Sequence, residues 1–96
     1  MKEYRKIKIG KKSVEALLFR LSTKNLIVLK GSKGYVMCGY LNVKVAEKFK
    51  DAAVKIIGVS TIDEALKARV QTCTWQARRL GITKGQPIRQ VLKLIV

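Results

Sequence analysis

Four strand-like apolar runs, separated by short turn-type segments, occupy the first 41 residues of this chain. The runs cover residues 4–9, 13–21, 26–29 and 35–41. Isoleucine alternates with lysine in the first run, whereas the second is largely apolar on both faces, and both patterns fit strands. Helix is the alternative for residues 14–21, because Glu-Ala-Leu-Leu has good helix propensity. We predict about four antiparallel strands here.

Helical spacing replaces this pattern from residue 42 onward. Asn42 can cap a short helix that ends near Lys50, and residues 53–57 resemble one further strand. Thr61-Ile62-Asp63-Glu64 is a capping box, and the helix that follows it places Ile62, Ala65, Leu66 and Val70 on one face. The sequence therefore predicts an α+β fold in a single compact domain, residues 1–96, with residues 1–41 β-rich and residues 42–96 mainly helical.

Two more helices are predicted toward the C-terminal end. Cys73, Ala77 and Leu80 follow i, i+4, i+7 spacing on a helix that Gly81 ends. Pro87 suits the first turn of a last helix, whose inward residues are Ile88, Val91, Leu92 and Ile95. We expect Cys73 to lie in the core.

The chain contains no segment that predicts a membrane or secreted location. No apolar run approaches the roughly 20 residues needed to span a bilayer, and the first six residues do not lead into a signal-peptide core. Cys38 and Cys73 are too few for the disulfide framework of a small secreted domain. We expect a cytoplasmic protein with reduced thiols and no membrane partner.

Positive charge dominates the composition. Lysine and arginine total 21 against six acidic residues, which gives a net charge of +15. The surplus is divided almost equally between residues 1–34 and 35–96, so it belongs to the folded body and not to a tail. Such a field attracts RNA, DNA or another polyanion. The alternative is a solvated lysine-rich surface of the kind found in thermophile proteins, although those balance lysine with glutamate.

Histidine is absent, which excludes several kinds of chemistry within one chain. These are Cys-His and Ser-His-Asp catalysis, histidine metal sites and acid–base work by imidazole. The cysteines lack CxxC spacing, the carboxylates show no calcium-loop pattern, and neither GxGxxG nor a P-loop occurs. We expect no cofactor and no metal, and the absence of a complete catalytic motif favours binding over catalysis.

Cys38 is the one candidate nucleophile. It lies in a strand-like run between Gly34 and Gly39, where a thiolate in a glycine-lined pocket would act as a nucleophile or redox centre. The favoured alternative is a small buried residue, because free cysteine is among the most buried residue types. If a ligand pocket exists here, its candidate residues are Tyr35, Cys38, Gly39, Tyr40 and Asn42.

Trp75 marks a second candidate site. On a helix it neighbours Arg78 at i+3 and Arg79 at i+4 and faces away from the Cys73 stripe. An aromatic ring beside two guanidinium groups suits base stacking and phosphate contact. A solitary tryptophan is more often structural or interfacial, so nucleic-acid contact by these three residues is the less favoured alternative.

Four sequence blocks together resemble the YunC-like family of bacteria and archaea. The blocks are Thr23-x-Asn25-Leu26, Lys33 to Val43 (KGYVMCGYLNV), Gly58 to Leu66 (GVSTIDEAL) and Ala77-x-x-Leu80-Gly81-Ile82 followed by Gly85. The resemblance implies an α+β fold whose β-rich N-terminal part mediates tetramer formation, and it implies no established activity. Some members have arginine and alanine where this chain has Ile56-Ile57, so a role for that arginine does not carry over.

The strand pattern also predicts self-association. Strands that are apolar on both faces need a covering layer, and exposed strand edges invite pairing. We therefore expect a homotetramer or dimer that forms through residues 1–30. The favoured function is a basic, non-catalytic binding module for nucleic acid or another polyanion. The alternatives are a small-molecule-binding protein or enzyme with a pocket around Cys38, and a structural or adaptor oligomer.

Overall fold

A six-stranded sheet, with its strands in sequence order, is the frame of the molecule. The computed structural model describes residues 2–96. The strands are β1 (Lys2–Ile9), β2 (Lys12–Arg20), β3 (Asn25–Lys30), β4 (Tyr35–Met37), β5 (Ala53–Lys55) and β6 (Thr72–Cys73). The helices are α1 (Val43–Lys48), α2 (Ile62–Lys67), α3 (Trp75–Arg79) and α4 (Ile88–Ile95). The predicted α+β fold is confirmed, with one strand more than the sequence predicts.

The first four strands form the predicted antiparallel meander. Short turns join them, and in the last turn the Gly31 N–H donates to the Gly34 carbonyl at 2.9 Å. β5 then pairs with β4 in parallel, and β6 returns antiparallel beside β5. Residues 14–21 are therefore mainly strand and not the alternative helix. Because the two strands are parallel, the C-terminal ends of β4 and β5 lie at the same end of the sheet.

One face of the sheet carries the main core. Val14 and Ala16 of β2, Ile27 of β3 and Val36 of β4 are fully buried there against residues of α2 and α4. The predicted inward residues of the last helix, namely Ile88, Val91, Leu92 and Ile95, are all buried. Together α2 and α4 cover this face, so it is closed to solvent.

The opposite face is covered over only part of its width. α1 packs over β4 and β5, where Leu41, Ala46 and Ala53 form a second, smaller core cluster with Met37 beside it. β1 to β3 carry no helix on this side. The strand registers place five apolar side chains on this uncovered area, which we call the open face: Tyr4, Leu17, Phe19, Leu26 and Val28.

Three predicted elements differ from the structure. The strand predicted for residues 35–41 ends at Met37, because the chain turns and the Leu41 N–H donates to the Cys38 carbonyl at 3.0 Å. The strand predicted for residues 53–57 likewise ends early, at Lys55. Cys73 lies on β6, paired with Val54, and not on a helix; it is buried as expected.

The predicted helix caps are confirmed. The Asn42 side chain accepts from the Val45 N–H at 3.2 Å, and the Thr61 hydroxyl accepts from the Glu64 N–H at 3.0 Å. The Glu64 carboxylate in turn accepts from the Ser60 N–H at 2.7 Å. Within residues 2–96, no helix has the length and apolar character that crossing a bilayer requires.

Candidate functional site

A cavity of about 690 Å³ lies at the end of the sheet, next to the loops that follow β4 and β5. Three segments line it: residues 20–25 between β2 and β3, residues 38–40 after β4, and residues 57–60 after β5. They meet because β3 lies between β2 and β4 in the sheet, and β5 runs parallel to β4. We call this space the sheet-end cavity.

Asn25 holds two of these segments together. Its side-chain amide donates to the Ser60 carbonyl at 2.8 Å, and its own backbone carbonyl accepts from the Cys38 thiol at 3.5 Å. The turn before it is closed by the Leu21 N–H, which donates to the Lys24 carbonyl at 3.0 Å. The cavity wall is thus fixed by backbone contacts between loops that are distant in sequence.

Cys38 lines the cavity but is only 4% exposed. Its sulfur accepts from the Ile27 N–H at 3.4 Å and donates to the Asn25 carbonyl, so both partners are backbone groups of β3. A thiol in this position packs like a small apolar side chain with two weak hydrogen bonds. No general base lies among its hydrogen-bond partners, which favours a structural role.

The charge of the cavity lining has one sign. Arg20 and Lys24 belong to it, and no aspartate or glutamate does. Hydroxyl groups come from Ser22, Thr23 and Ser60. Apolar surface is also present, since Tyr40 is 49% exposed and Ile57 is 54% exposed. This combination suits a ligand with an anionic group and an apolar body.

The structure brings together only part of the residue set proposed from the sequence. Cys38, Gly39 and Tyr40 share the sheet-end cavity, whereas Tyr35 and Asn42 are not among its lining residues. Asn42 caps α1. The Tyr35 hydroxyl donates to the Asp51 carboxylate at 2.9 Å, and burial, together with this hydrogen bond and the nearby negative charge, raises the pKa of Tyr35 to about 12.

The aromatic and basic cluster on α3 is present at the surface. Trp75 is 54% exposed, and the Arg79 guanidinium lies 5.1 Å from the centre of its ring. The Arg78 guanidinium donates to the Cys73 carbonyl at 3.5 Å. The Glu47 carboxylate accepts from the Trp75 N–H at 3.0 Å, so a negative charge also lies at this end of α3. The cluster is separate from the lining of the sheet-end cavity.

The sequence did not identify Arg20, Lys24, Ile57 or Ser60 as site residues. The sequence predicts residues 22–25 as a turn-type segment that overlaps a family block, and residues 56–57 as the end of a strand. The order of the strands is the one signal that could have identified them. In a β2-β3-β4 meander followed by a parallel β5, these segments lie at the same end of the sheet as residues 38–40. The sequence does not indicate that β5 pairs with β4 in parallel, and without this pairing the common location of these segments cannot be inferred.

Comparisons with known proteins agree with the fold and sequence blocks described above. The chain is 35% identical over 81 residues to the uncharacterized protein YunC of Bacillus subtilis, a match that covers 80% of each protein. The crystal structure of TA1206, a protein of unknown function from Thermoplasma acidophilum, superposes with a TM-score of 0.95 at 38% identity. That match covers 100% of this chain and 94% of TA1206. Because residues 37–95 also match the model of the domain of unknown function DUF1805, the chain belongs to this YunC-like family.

Proposed function

We propose that this protein is a non-catalytic binding module for nucleic acid or another polyanion and that it acts as a homo-oligomer. The observation that carries the first part is uncompensated positive charge. Of the 21 lysines and arginines, only Arg5 forms an ion pair within residues 2–96, with Glu3 and Asp63. The charges of the other basic side chains are not neutralised by an acidic partner within these residues, so they can attract an external anion.

The six carboxylates are already engaged inside the molecule. Those that do not contact Arg5 accept hydrogen bonds from tyrosine hydroxyls or from the backbone: Glu15 from Tyr4, Asp51 from Tyr35, Glu47 from Trp75 and Glu64 from Ser60. Among residues 2–96, none of these four carboxylates forms an ion pair with a lysine or arginine. The positive field therefore extends into solvent, where it attracts phosphate backbones.

The structure offers little support for catalysis by the one candidate nucleophile. Cys38 is buried and bonded to backbone groups, and the chain has no histidine to activate it. A complete site needs a nucleophile, a base and a group that orients the base. Binding is thus the function that these residues support best.

A salt titration tests polyanion binding. Fluorescence anisotropy of labelled random-sequence RNA and duplex DNA should show binding that weakens linearly in log affinity against log salt, with a slope of about −0.9 per neutralised DNA phosphate. An unlabelled heparin competitor separates a general polyanion site from one that prefers nucleic acid. Absence of binding at about 50 mM salt contradicts the proposal, because electrostatic association is strong there.

A pair of matched double variants tests whether α3 contributes. Arg78→Gln with Arg79→Gln removes two charges beside Trp75, and Lys84→Gln with Lys93→Gln removes two elsewhere. If the α3 cluster contacts the nucleic acid, the first pair weakens binding more than the second. Equal losses would show that binding depends on net charge and not on this cluster.

The open face supports self-association. Phe19 is 40% exposed and Tyr4 is 51% exposed, and the strand registers place both on the same sheet face as Leu17 and Val28. No helix of residues 2–96 packs on this part of the sheet. Exposed aromatic side chains beside aliphatic ones on one sheet face are typical of an interface. We propose a second copy of this chain as its partner, because the family resemblance also implies assembly through the β-rich part.

Placing a charge in the open face tests this assembly. Phe19→Glu should convert an oligomer into a monomer at micromolar concentration, since a carboxylate buried against apolar side chains loses its hydration. Ile57→Glu is the control, because Ile57 is also an exposed apolar residue, at 54%, but lies at the sheet-end cavity. Light scattering coupled to size exclusion gives the mass, and circular dichroism confirms the fold. A monomeric unmodified protein would refute self-association.

A further inference from the structure

We infer that the sheet-end cavity binds a small organic anion, whose acidic group contacts Arg20 and Lys24 and whose flat or apolar body contacts Leu21, Tyr40 and Ile57. This inference goes beyond polyanion binding, because the site is a concave space of defined lining and not an extended surface. It needs no contribution from α3 or from the open face.

The position of the cavity in the fold supports a ligand site. β4 and β5 are parallel neighbours, and the loops that follow their C-terminal ends form one side of the cavity. In open α/β sheets, ligands bind outside the carboxyl ends of the parallel strands, and the one parallel pair of this sheet presents its carboxyl ends in the same way. Its volume of about 690 Å³ also falls within the range of roughly 300–1,000 Å³ that is typical of small-molecule sites.

The cations of the lining set the charge of the ligand. Arg20 is the last residue of β2 and Lys24 directly precedes β3, so the two flank the same turn. Neither forms an ion pair within residues 2–96. A concave surface with cations and no carboxylate concentrates the positive field, which favours an anion. Arginine adds a planar fork of donors that matches a carboxylate or a phosphate.

Backbone donors add to this preference. Among residues 2–96, the N–H groups of Gly39, Ile57 and Gly58 donate to no protein acceptor. They belong to the two loops that follow the parallel strands. Gly58 has a φ of +73°, a left-handed backbone conformation that glycine adopts without strain. Free N–H groups that line the same cavity as two cations are suitable partners for an oxyanion.

The apolar part of the lining defines the rest of the ligand. Leu21, Tyr40 and Ile57 are large apolar side chains that remain 40% to 54% exposed, and all three line this one cavity. A ring or hydrocarbon body that covers them removes this surface from water, and the Tyr40 ring offers a face for stacking. The expected ligand therefore has an acidic group at one end and an apolar body at the other.

Matched probe pairs test the two parts of the ligand separately. 2-Naphthoate is compared with uncharged 2-naphthamide, and adenosine 5′-monophosphate with adenosine, each at millimolar concentration. Two-dimensional NMR of the labelled full chain follows the amide signals of residues 38–40 and 57–60. We expect at least one anion to shift these signals selectively and to bind about tenfold more tightly than its uncharged partner, as expected for loss of one charge-assisted contact. The anion that binds distinguishes a carboxylate ligand from a phosphate ligand.

Charge variants locate the acidic group. Arg20→Gln and Lys24→Gln should each weaken binding of the responding anion about tenfold. Lys84→Gln removes the same charge outside the cavity lining and should leave the affinity within about twofold, since exposed charges at a distance are screened by salt. Tyr40→Ala should weaken binding of the probe anion without changing the affinity for inorganic phosphate.

Two results would overturn the inference. One is that none of the four probes shifts the signals of residues 38–40 and 57–60 more than signals elsewhere. The other is that Lys84→Gln weakens binding of the anion as much as Arg20→Gln does, which would indicate general attraction to a basic protein. RNA and DNA binding measured on the same variants keeps this test separate from the proposed polyanion function, because each can fail alone.

Discussion

At the scale of single residues, the Tyr35 hydroxyl joins strand β4 to the loop that precedes β5. Tyr35 begins β4, and Asp51 lies in the loop that leads to β5. Their hydrogen bond of 2.9 Å keeps the tyrosine protonated, since burial and the Asp51 carboxylate both raise the pKa of Tyr35, from 10.0 to about 12. The link therefore contributes to stability only while the hydroxyl holds its proton.

Tyr35→Phe should lower the free energy of unfolding by about 1 kcal/mol at neutral pH, the typical net value of one hydrogen bond. In the native protein this contribution is present below pH 10.0, where the unfolded tyrosine is protonated too, and is lost as the pH rises toward about 12. As the pH rises from 10.0 to about 12, the free energy of unfolding should therefore fall less for Tyr35→Phe than for the unmodified protein. Urea unfolding at several pH values measures both effects.

Tyr40→Phe is the control for this experiment. The Tyr40 side chain is exposed, and its hydroxyl forms no hydrogen bond within residues 2–96. Its removal should leave both the stability and its alkaline pH dependence as in the parent. If Tyr40→Phe and Tyr35→Phe behave alike, the bond to Asp51 does not stabilise the fold.

Cys38 should resist modification in the folded protein. Its sulfur is buried and bonded to β3, so iodoacetamide at neutral pH should label neither Cys38 nor the equally buried Cys73 until denaturant is added. Ser22→Cys, at an exposed position of the cavity lining, provides a thiol that should react at once. Mass spectrometry counts the labels. Rapid labelling of Cys38 in the native state would revive the catalytic interpretation.

At the scale of secondary-structure elements, Thr74 joins α3, β5 and the loop before β5. It is fully buried, and its hydroxyl donates to the Asp51 carbonyl at 2.7 Å. The same oxygen accepts from the Ala53 N–H at 3.0 Å, where β5 begins, and from the Ala77 N–H at 3.3 Å in the first turn of α3. One hydroxyl group thus satisfies backbone groups from α3, from β5 and from the loop before β5.

Thr74→Val should destabilise the protein by about 2–3 kcal/mol, because three buried backbone groups lose their partner while the volume is almost unchanged. Thr74→Ser keeps the hydroxyl and should cost clearly less. Thermal and urea unfolding of the two variants measure the difference. Equal destabilisation by serine and valine would assign the role of Thr74 to its methyl group.

The elements with strong local signals were predictable from the sequence. Apolar runs of strand length identified β1 to β3, and Asn42, Thr61 and Pro87 marked the starts of α1, α2 and α4. These signals depend on residues that are near in sequence, through side-chain caps and the restricted geometry of proline.

The elements that depend on distant contacts were not predictable in the same way. Cys73 fitted a helical stripe, yet two residues of β6 pair with β5, and Thr74 caps a helix that starts only at Trp75. Cys38 to Leu41 looked like a continuation of β4, but the chain turns there. The cavity needed the same long-range information, because Arg20 and Ile57 meet only through the order of the strands.

At the scale of the whole molecule, like-charge repulsion opposes compaction. The net charge is +15, and the two ion pairs within residues 2–96 both involve Arg5. High net charge destabilises the compact state, and added salt screens this repulsion. Few attractive pairs exist for the salt to weaken, so screening should favour the folded state.

Adding sodium chloride should therefore raise the melting temperature by a few degrees, about what a gain of 1 kcal/mol produces in a domain of this size. Phe19→Glu should be measured in parallel, because salt also reduces repulsion between copies, and a variant designed to be monomeric removes that effect. Differential scanning calorimetry gives both values. A melting temperature that falls with salt would show that attractive charge pairs dominate.

The parallel pairing of β4 with β5 has a consequence for the lifetime of the folded state. β1 to β4 are joined by short turns, whereas pairing of β5 closes the longer connection of residues 38–52, so we expect the meander to assemble first. The sheet-end cavity takes walls from both stages. We expect the cavity to be complete only once β5 has paired, so a ligand held there should slow unfolding while leaving the refolding rate almost unchanged.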